Sequence, residues 1–234
     1  MGVYGGVTNS WINISPSNSL SGIVTSGLVL ALDAGRTLSY PGSGTTWTDL
    51  SGNGNTGTLT NGPTYSSANF GSIVFDGVDD VITFASNNII SGTQNFTVEA
   101  IVKSNNTASP DYIFGNYGVS NSNGLAIYFY LNKFYFWYGG ITISNSTVLS
   151  NTWYIVAFTR SGNTTSIYIN GVLDITGTNA TSITTSLSYR IGNGPDYNSE
   201  IYAGNIASVK AYNRALTATE ISQNYNALRR RFGI

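Results

Sequence analysis

Apolar and polar residues alternate with a period of two through most of the chain. Leu28, Leu30 and Leu32 alternate before Asp33. Phe96, Val98, Ala100 and Val102 share one face of a strand, with Thr97, Glu99 and Lys103 on the other. That is the pattern of half-buried β-strands. Segments 72–75 and 81–84 flank Asp76-Gly77-Val78-Asp79-Asp80 and read as a hairpin with a long turn. Segments 125–131 and 134–138 meet at Asn132-Lys133, and 153–160 and 165–169 meet at Ser161-Gly162-Asn163. Asn170-Gly171 is the strongest two-residue turn signal, because both centre positions of a type I′ turn need positive φ. Segments 189–191 and 205–213 close the series. Many short strands at this spacing predict an all-β antiparallel sandwich rather than a βαβ sheet.

One helix, 217–232, interrupts the alternation. Thr217 with Glu220 three positions later forms a capping box. Ile221, Tyr225, Leu228 and Phe232 then make a single apolar stripe. Arg229, Arg230 and Arg231 fall in the last turn, where they complement the helix dipole on a solvated face, and Gly233 fits the position after the helix. Residues 1–26 are Gly-, Ser-, Asn- and Thr-rich around isolated anchors. They read as an N-terminal arm, with Trp11 the candidate docking anchor and 27–234 the sandwich.

Composition narrows the chemistry. The 234 residues are 41% hydrophobic and 9% charged, with ten Lys+Arg against eleven Asp+Glu. A near-neutral surface argues against sequence-general nucleic-acid binding. Zero Cys and zero His exclude disulfides, thiolate or imidazole metal sites and Ser-His-Asp triads. No apolar run reaches the ~20 residues of a membrane helix. Residues 1–27 have neither a basic start nor a long apolar stretch, so no signal peptide is expected and synthesis in a host cytoplasm is.

Several ordered segments carry a resemblance: Phe75 to Asp80, Phe96 to Ala100, Trp153 to Ala157, Ile167 to Gly171, Ile191-Gly192-Asn193, Gly204 to Val209, Tyr212 to Thr217 and Glu220-Ile221. Together they resemble the laminin-G-like jelly rolls of the concanavalin A-like lectin/glucanase superfamily, over roughly 27–234. The opening is similar to the form found in tailed-bacteriophage virion proteins: Gly27 to Gly35, Ser39 to Trp47, and Asp49 to Gly54. The resemblance implies a concanavalin A-like jelly roll of two packed antiparallel sheets. It also implies a virion location, with capsid or fibre proteins as partners in an oligomeric setting.

The enzyme reading fails on its carboxylates. Retaining glycoside hydrolysis needs two carboxyls about 5–5.5 Å apart. Only Glu99, Glu200 and Glu220 are glutamates, Glu220 serves the cap, and Ile101 and Lys103 follow Glu99. Lys103 is also expected to lower the Glu99 pKa rather than raise it. No catalytic residue is assigned, and no cofactor beyond a candidate calcium. Asp76, Asp79 and Asp80 are the tightest acidic cluster for that ion, and Asp196, Asn198 and Glu200 a looser one. The resemblance implies that members often carry a calcium, and many relatives have an acidic residue where Ala207 stands, so one plausible ligand of a family-type calcium is missing here.

In the hairpin holding Tyr128, Tyr130, Tyr135, Trp137 and Tyr138, alternation separates Phe134, Phe136 and Tyr138 from Tyr135 and Trp137. One set is core; the other is a candidate ligand or protein contact. The expected function is a non-enzymatic phage structural protein, a capsid decoration or fibre component. The alternative is a carbohydrate-binding module, with host or environmental polysaccharide as partner, and a polysaccharide hydrolase is the weakest.

Overall fold

The computed structural model describes residues 20–85, 89–90, 95–105, 109–118, 123–182, 187–195 and 200–234. Two antiparallel sheets of eight strands pack face to face. The first takes β1 (Leu28–Asp33), β4 (Thr64–Ser66), β5 (Ser72–Asp76), β7 (Phe96–Ser104), β12 (Tyr154–Ser161), β13 (Thr164–Ile169), β14 (Val172–Thr178) and β16 (Ala203–Tyr212). Its order is β14-β13-β12-β7-β16-β5-β4, with β1 also paired to β16. The second takes β2 (Thr46–Trp47), β3 (Gly57–Thr60), β6 (Val81–Phe84), β8 (Asp111–Gly115), β9 (Leu125–Tyr130), β10 (Lys133–Tyr138), β11 (Ile141–Ile143) and β15 (Arg190–Ile191). Its order is β11-β10-β9-β8-β15-β6-β3-β2.

The core lies between the sheets and is aromatic. Phe96, Phe114, Phe134, Phe136, Phe158, Tyr138, Tyr189 and Trp47 are all buried there. Phe96, Phe136 and Phe158 meet edge to face at centroid distances of 5.7–6.0 Å, a geometry that adds to plain area burial. Three expected hairpins form: β9–β10 turns through Leu131 and Asn132, β12–β13 through Gly162 and Asn163, and β13–β14 through Asn170-Gly171, with positive φ at Leu131, Asn132, Gly162, Asn170 and Gly171. The first and last strands of the sandwich pair along β1 and β16.

One expected hairpin does not form. Segments 72–76 and 81–84 lie in different sheets, β5 beside β16 and β6 between β3 and β15. Both strands bury aromatic or aliphatic side chains in the core. The acidic segment between them therefore arches across the roughly 10 Å that separate packed sheets.

The outer face of the first sheet is covered. Helix α1 (Ala218–Leu228) and a single 3-10 turn (Arg229–Arg231) lie on it, and Ile221, Leu228 and Phe232 are buried. Thr217 and Glu220 close the capping box reciprocally. Residues 20–26, the end of the expected arm, also lie here: Ile23 is buried with Leu228 and Phe232. Asn224 clasps the layer. Its Oδ1 accepts from the Val24 backbone N–H (2.8 Å), and its Nδ2 donates to Glu99 Oε2 (2.7 Å) and the Tyr212 hydroxyl (3.0 Å).

Two charge expectations need correction. Glu99 is buried, and its register partner is Lys210 on β16, not the neighbouring Lys103. Burial pushes the Glu99 carboxyl up against the opposing pull of the Lys210 charge, and the same burial lowers Lys210. The three arginines are not one solvated face either. Arg230 is exposed, but Arg231 grips Asp33 with Nη1 at 2.8 and 2.9 Å from the two carboxylate oxygens. That pair ties the chain end to the end of β1, 198 residues away.

The opening segment is a clasp as well. Asp49 accepts from the backbone N–H groups of Ala31 (2.8 Å) and Asn55 (2.9 Å), while Asn53 Nδ2 donates to the Leu28 carbonyl (3.1 Å).

Candidate functional site

Alternation along β9 and β10 sorts their side chains between the core and the outside. Leu125, Ile127, Phe129, Phe134, Phe136 and Tyr138 point inward and are buried. Tyr128, Tyr130, Lys133, Tyr135 and Trp137 take the outer face and stay half-exposed. Residues directly opposite on neighbouring strands share a face. Ile143, Tyr135, Tyr128 and Tyr112 therefore form one transverse row. Ile141, Trp137, Ala126, Gly115, Arg190, Thr83 and Thr58 form the next.

The rings organise one another. Tyr128 and Tyr135 stack at 4.9 Å with 12° between planes, and Tyr130 leans on Tyr135 at 5.9 Å. Tyr117, on the segment after β8, tilts against Trp137 at 5.1 Å. Tyr112 is fully buried beneath this layer. Pre-stacked rings lose little rotamer freedom when a ligand arrives, which favours binding.

Glu200 is half-buried beside these rings, and burial raises its carboxyl pKa. Its charge in turn raises the phenols of Tyr112 and Tyr128, whose shifts come first from their own burial. Arg190 stands on the same face and acts on Tyr112 in the opposite sense. The face thus places aromatic platforms beside one carboxylate, one guanidinium and the hydroxyls of Thr83 and Thr58.

Alternation separates Tyr135 and Trp137 from Phe134, Phe136 and Tyr138, and the fold buries the second set and turns the first outward. Glu200, Arg190 and Tyr117 join them through contacts that no local pattern encodes. The sequence offers Glu200 only as part of a loose acidic cluster with Asp196 and Asn198, not as a neighbour of these rings. Asp196 and Asn198 lie outside the described residues, as does Trp11.

The acidic arch is a second cluster. One carboxylate oxygen from each of Asp76, Asp79 and Asp80 lies within 4.8 Å of the other two. Asp76 and Asp79 are exposed and Asp80 is buried. Burial, with Asp76 and Asp79 adding repulsion, pushes the Asp80 carboxyl up.

Comparison with known proteins follows the fold. Residues 76–222 match the family described as the concanavalin A-like lectin/glucanases superfamily. Among curated proteins none matches. Domain 4 of AbnA, an extracellular GH43 arabinanase from Geobacillus stearothermophilus solved with arabinotriose, superposes with a TM-score of 0.67 at 17% identity. The match covers 86% of this chain and 98% of that one. The binding domain of Paraclostridial Mosquitocidal Protein 1 gives 0.66 at 16%, covering 86% of this chain and 52% of that one. The receptor-binding domain of botulinum neurotoxin type G gives 0.65 at 16%, covering 86% and 51%. The chain spans about half the length of each toxin chain. At these identities the likeness is one of fold.

Proposed function

The chain belongs to the concanavalin A-like lectin/glucanases superfamily, and from that premise we propose a non-catalytic carbohydrate-binding domain whose ligand lies on the outer face of the second sheet. The observation that carries the reading is the half-exposed layer of Tyr128, Tyr130, Tyr135 and Trp137 with Glu200 beside it. Sugar rings have apolar C–H faces and a rim of hydroxyls. The aromatic rings take the first by stacking, and Glu200 and Arg190 hydrogen-bond the second. Hydrolysis would need a second carboxylate at one of two set separations. The other two glutamates are engaged at the helix layer, Glu99 with Asn224 and Glu220 with Arg214.

The AbnA domain was solved with arabinotriose, which supports placing pentose oligosaccharides first among the ligands to try. Titration calorimetry against arabino-, xylo- and gluco-oligosaccharides tests the proposal. Binding by at least one series is expected, and Trp137→Ala should weaken it about 30-fold, the ~2 kcal/mol of an anchoring aromatic. Binding that survives both Trp137→Ala and Tyr135→Ala would move the ligand off this face.

Display on a virion is a separate proposal that rests on the motifs of 27–54 alone. Quantitative mass spectrometry of purified particles tests it, and absence of the chain from particles contradicts it.

A further inference from the structure

The arch between β5 and β6 holds a feature that turn chemistry does not explain. Asp80 is 2% exposed. Its Oδ2 accepts from the Asp76 backbone N–H at 2.9 Å, but its Oδ1 is buried without a hydrogen-bond partner. Buried carboxylate oxygens are nearly always partnered, because a lost water is otherwise not replaced. Asp76 uses one oxygen on the Val78 N–H (2.8 Å), and its carboxyl crowds against that of Asp80. The Asn61–Gly62 turn borders the orphaned oxygen. A Cβ added to Gly62 would stand 3.9 Å from it, and Asn61 Nδ2 holds the Asp79 carbonyl at 3.0 Å.

We propose that Asp76, Asp79 and Asp80 form a calcium site, with the orphaned Asp80 oxygen as its buried ligand. Calcium binds oxygen at about 2.3–2.6 Å, so two ligands of one ion stand at most about 5 Å apart. The three carboxylates, within 4.8 Å of one another, meet that limit. Calcium is preferred to magnesium because its coordination tolerates irregular ligand sets, whereas magnesium demands a near-ideal octahedron. Ala207, where the resemblance leads one to expect an acidic residue, lies in β16 beneath the helix layer.

The arch packs on the stem of the segment that carries Glu200. A Cβ on Gly192 would lie 3.1 Å from the Asp80 carbonyl, and one on Gly77 would lie 2.9 Å from the Ala203 Cβ. Asn193 bridges to Ile201 across that stem. An ion on the arch therefore fastens β5 to β6, one sheet to the other, beside this stem. The inference stands apart from the carbohydrate reading, and its test contains no sugar.

The experiment uses the full chain, stripped with EDTA and titrated with CaCl2 or MgCl2 alone, with calorimetry and thermal melts as readouts. One calcium per chain is expected, with magnesium weaker. At free calcium a hundredfold above Kd the midpoint should rise by about 5–10 °C. Asp79→Asn is the informative variant, because Asp79 is exposed and its turn contact with Asn61 uses the backbone carbonyl. It should melt like the parent in EDTA and bind calcium at least tenfold more weakly. Absence of calcium binding by the parent overturns the proposal. So does equal binding by Asp79→Asn, or a loss seen in Asp196→Asn but not in Asp79→Asn.

Discussion

The two outer faces of the sandwich have opposite characters. On the first sheet the outward positions include Ile101, Ile155, Ala31, Ala157 and Ala207, which are small or purely aliphatic. Such a surface is costly in water, and helix α1, Phe232 and residues 20–26 cover it. On the second sheet the outward positions include the half-exposed Tyr128, Tyr130, Lys133, Tyr135 and Trp137 beside the exposed Ile141 and Ile143. No described element covers Tyr135 as the helix layer covers Ile101. The contrast separates a covered face from a face left open.

The largest effect that can break this comparison lies under the helix. Leu228→Ala should cost about 2–5 kcal/mol in denaturant melts, the range for truncating a fully packed leucine. An equal melt for parent and variant would mean that the helix layer is not part of the stability of the sandwich. On the open face Tyr135→Ala should cost only about 0.5–1.5 kcal/mol, the worth of its stacking on Tyr128. If Tyr135→Ala proved the more destabilising of the two, the open face would be core.

A smaller effect sharpens the covered side. Thr217→Ala should cost roughly 0.5–2 kcal/mol through the lost cap. Its partner Glu220 also pairs with Arg214 at 2.6 Å, and these contacts hold its carboxyl at about 2. A folded pKa below the unfolded value means that the native state binds this proton less tightly. The stabilisation is therefore complete above the ordinary carboxylate range and is lost as pH falls from about 4.5 toward 2. Because the pair is partly exposed, the loss should be about 1 kcal/mol or less. Melts of Glu220→Gln and the parent should converge near pH 2, and a constant offset across that window would reject this assignment.

What could be read from the sequence was what neighbours along the chain determine. Period-two alternation identifies β7 and separates Tyr135 and Trp137 from Phe134, Phe136 and Tyr138. The Asn170-Gly171 turn, the capping box and the apolar helix stripe depend on residues within a few positions of one another. Contacts between distant segments were not legible. Segments 72–76 and 81–84 look like a hairpin because only their partners β16 and β15, more than 100 residues on, assign them to different sheets. Arg231 looks solvated until Asp33 is brought to it, and Glu99 looks outward until Lys210 and Asn224 bury it. Glu200 and Arg190 join the rings by the same long-range pairing, so Glu200 was legible only as a loose calcium candidate and Arg190 not at all.

The open face is tested most directly by mapping a bound oligosaccharide on isotopically labelled protein by amide chemical shifts. Perturbations should concentrate on β9, β10 and the vicinity of Glu200, saturate with one ligand per chain, and leave α1 and residues 20–26 unmoved. Saturable shifts confined to the helix layer or to the arch at 76–80, with Tyr128, Tyr135 and Trp137 unchanged, would contradict the account.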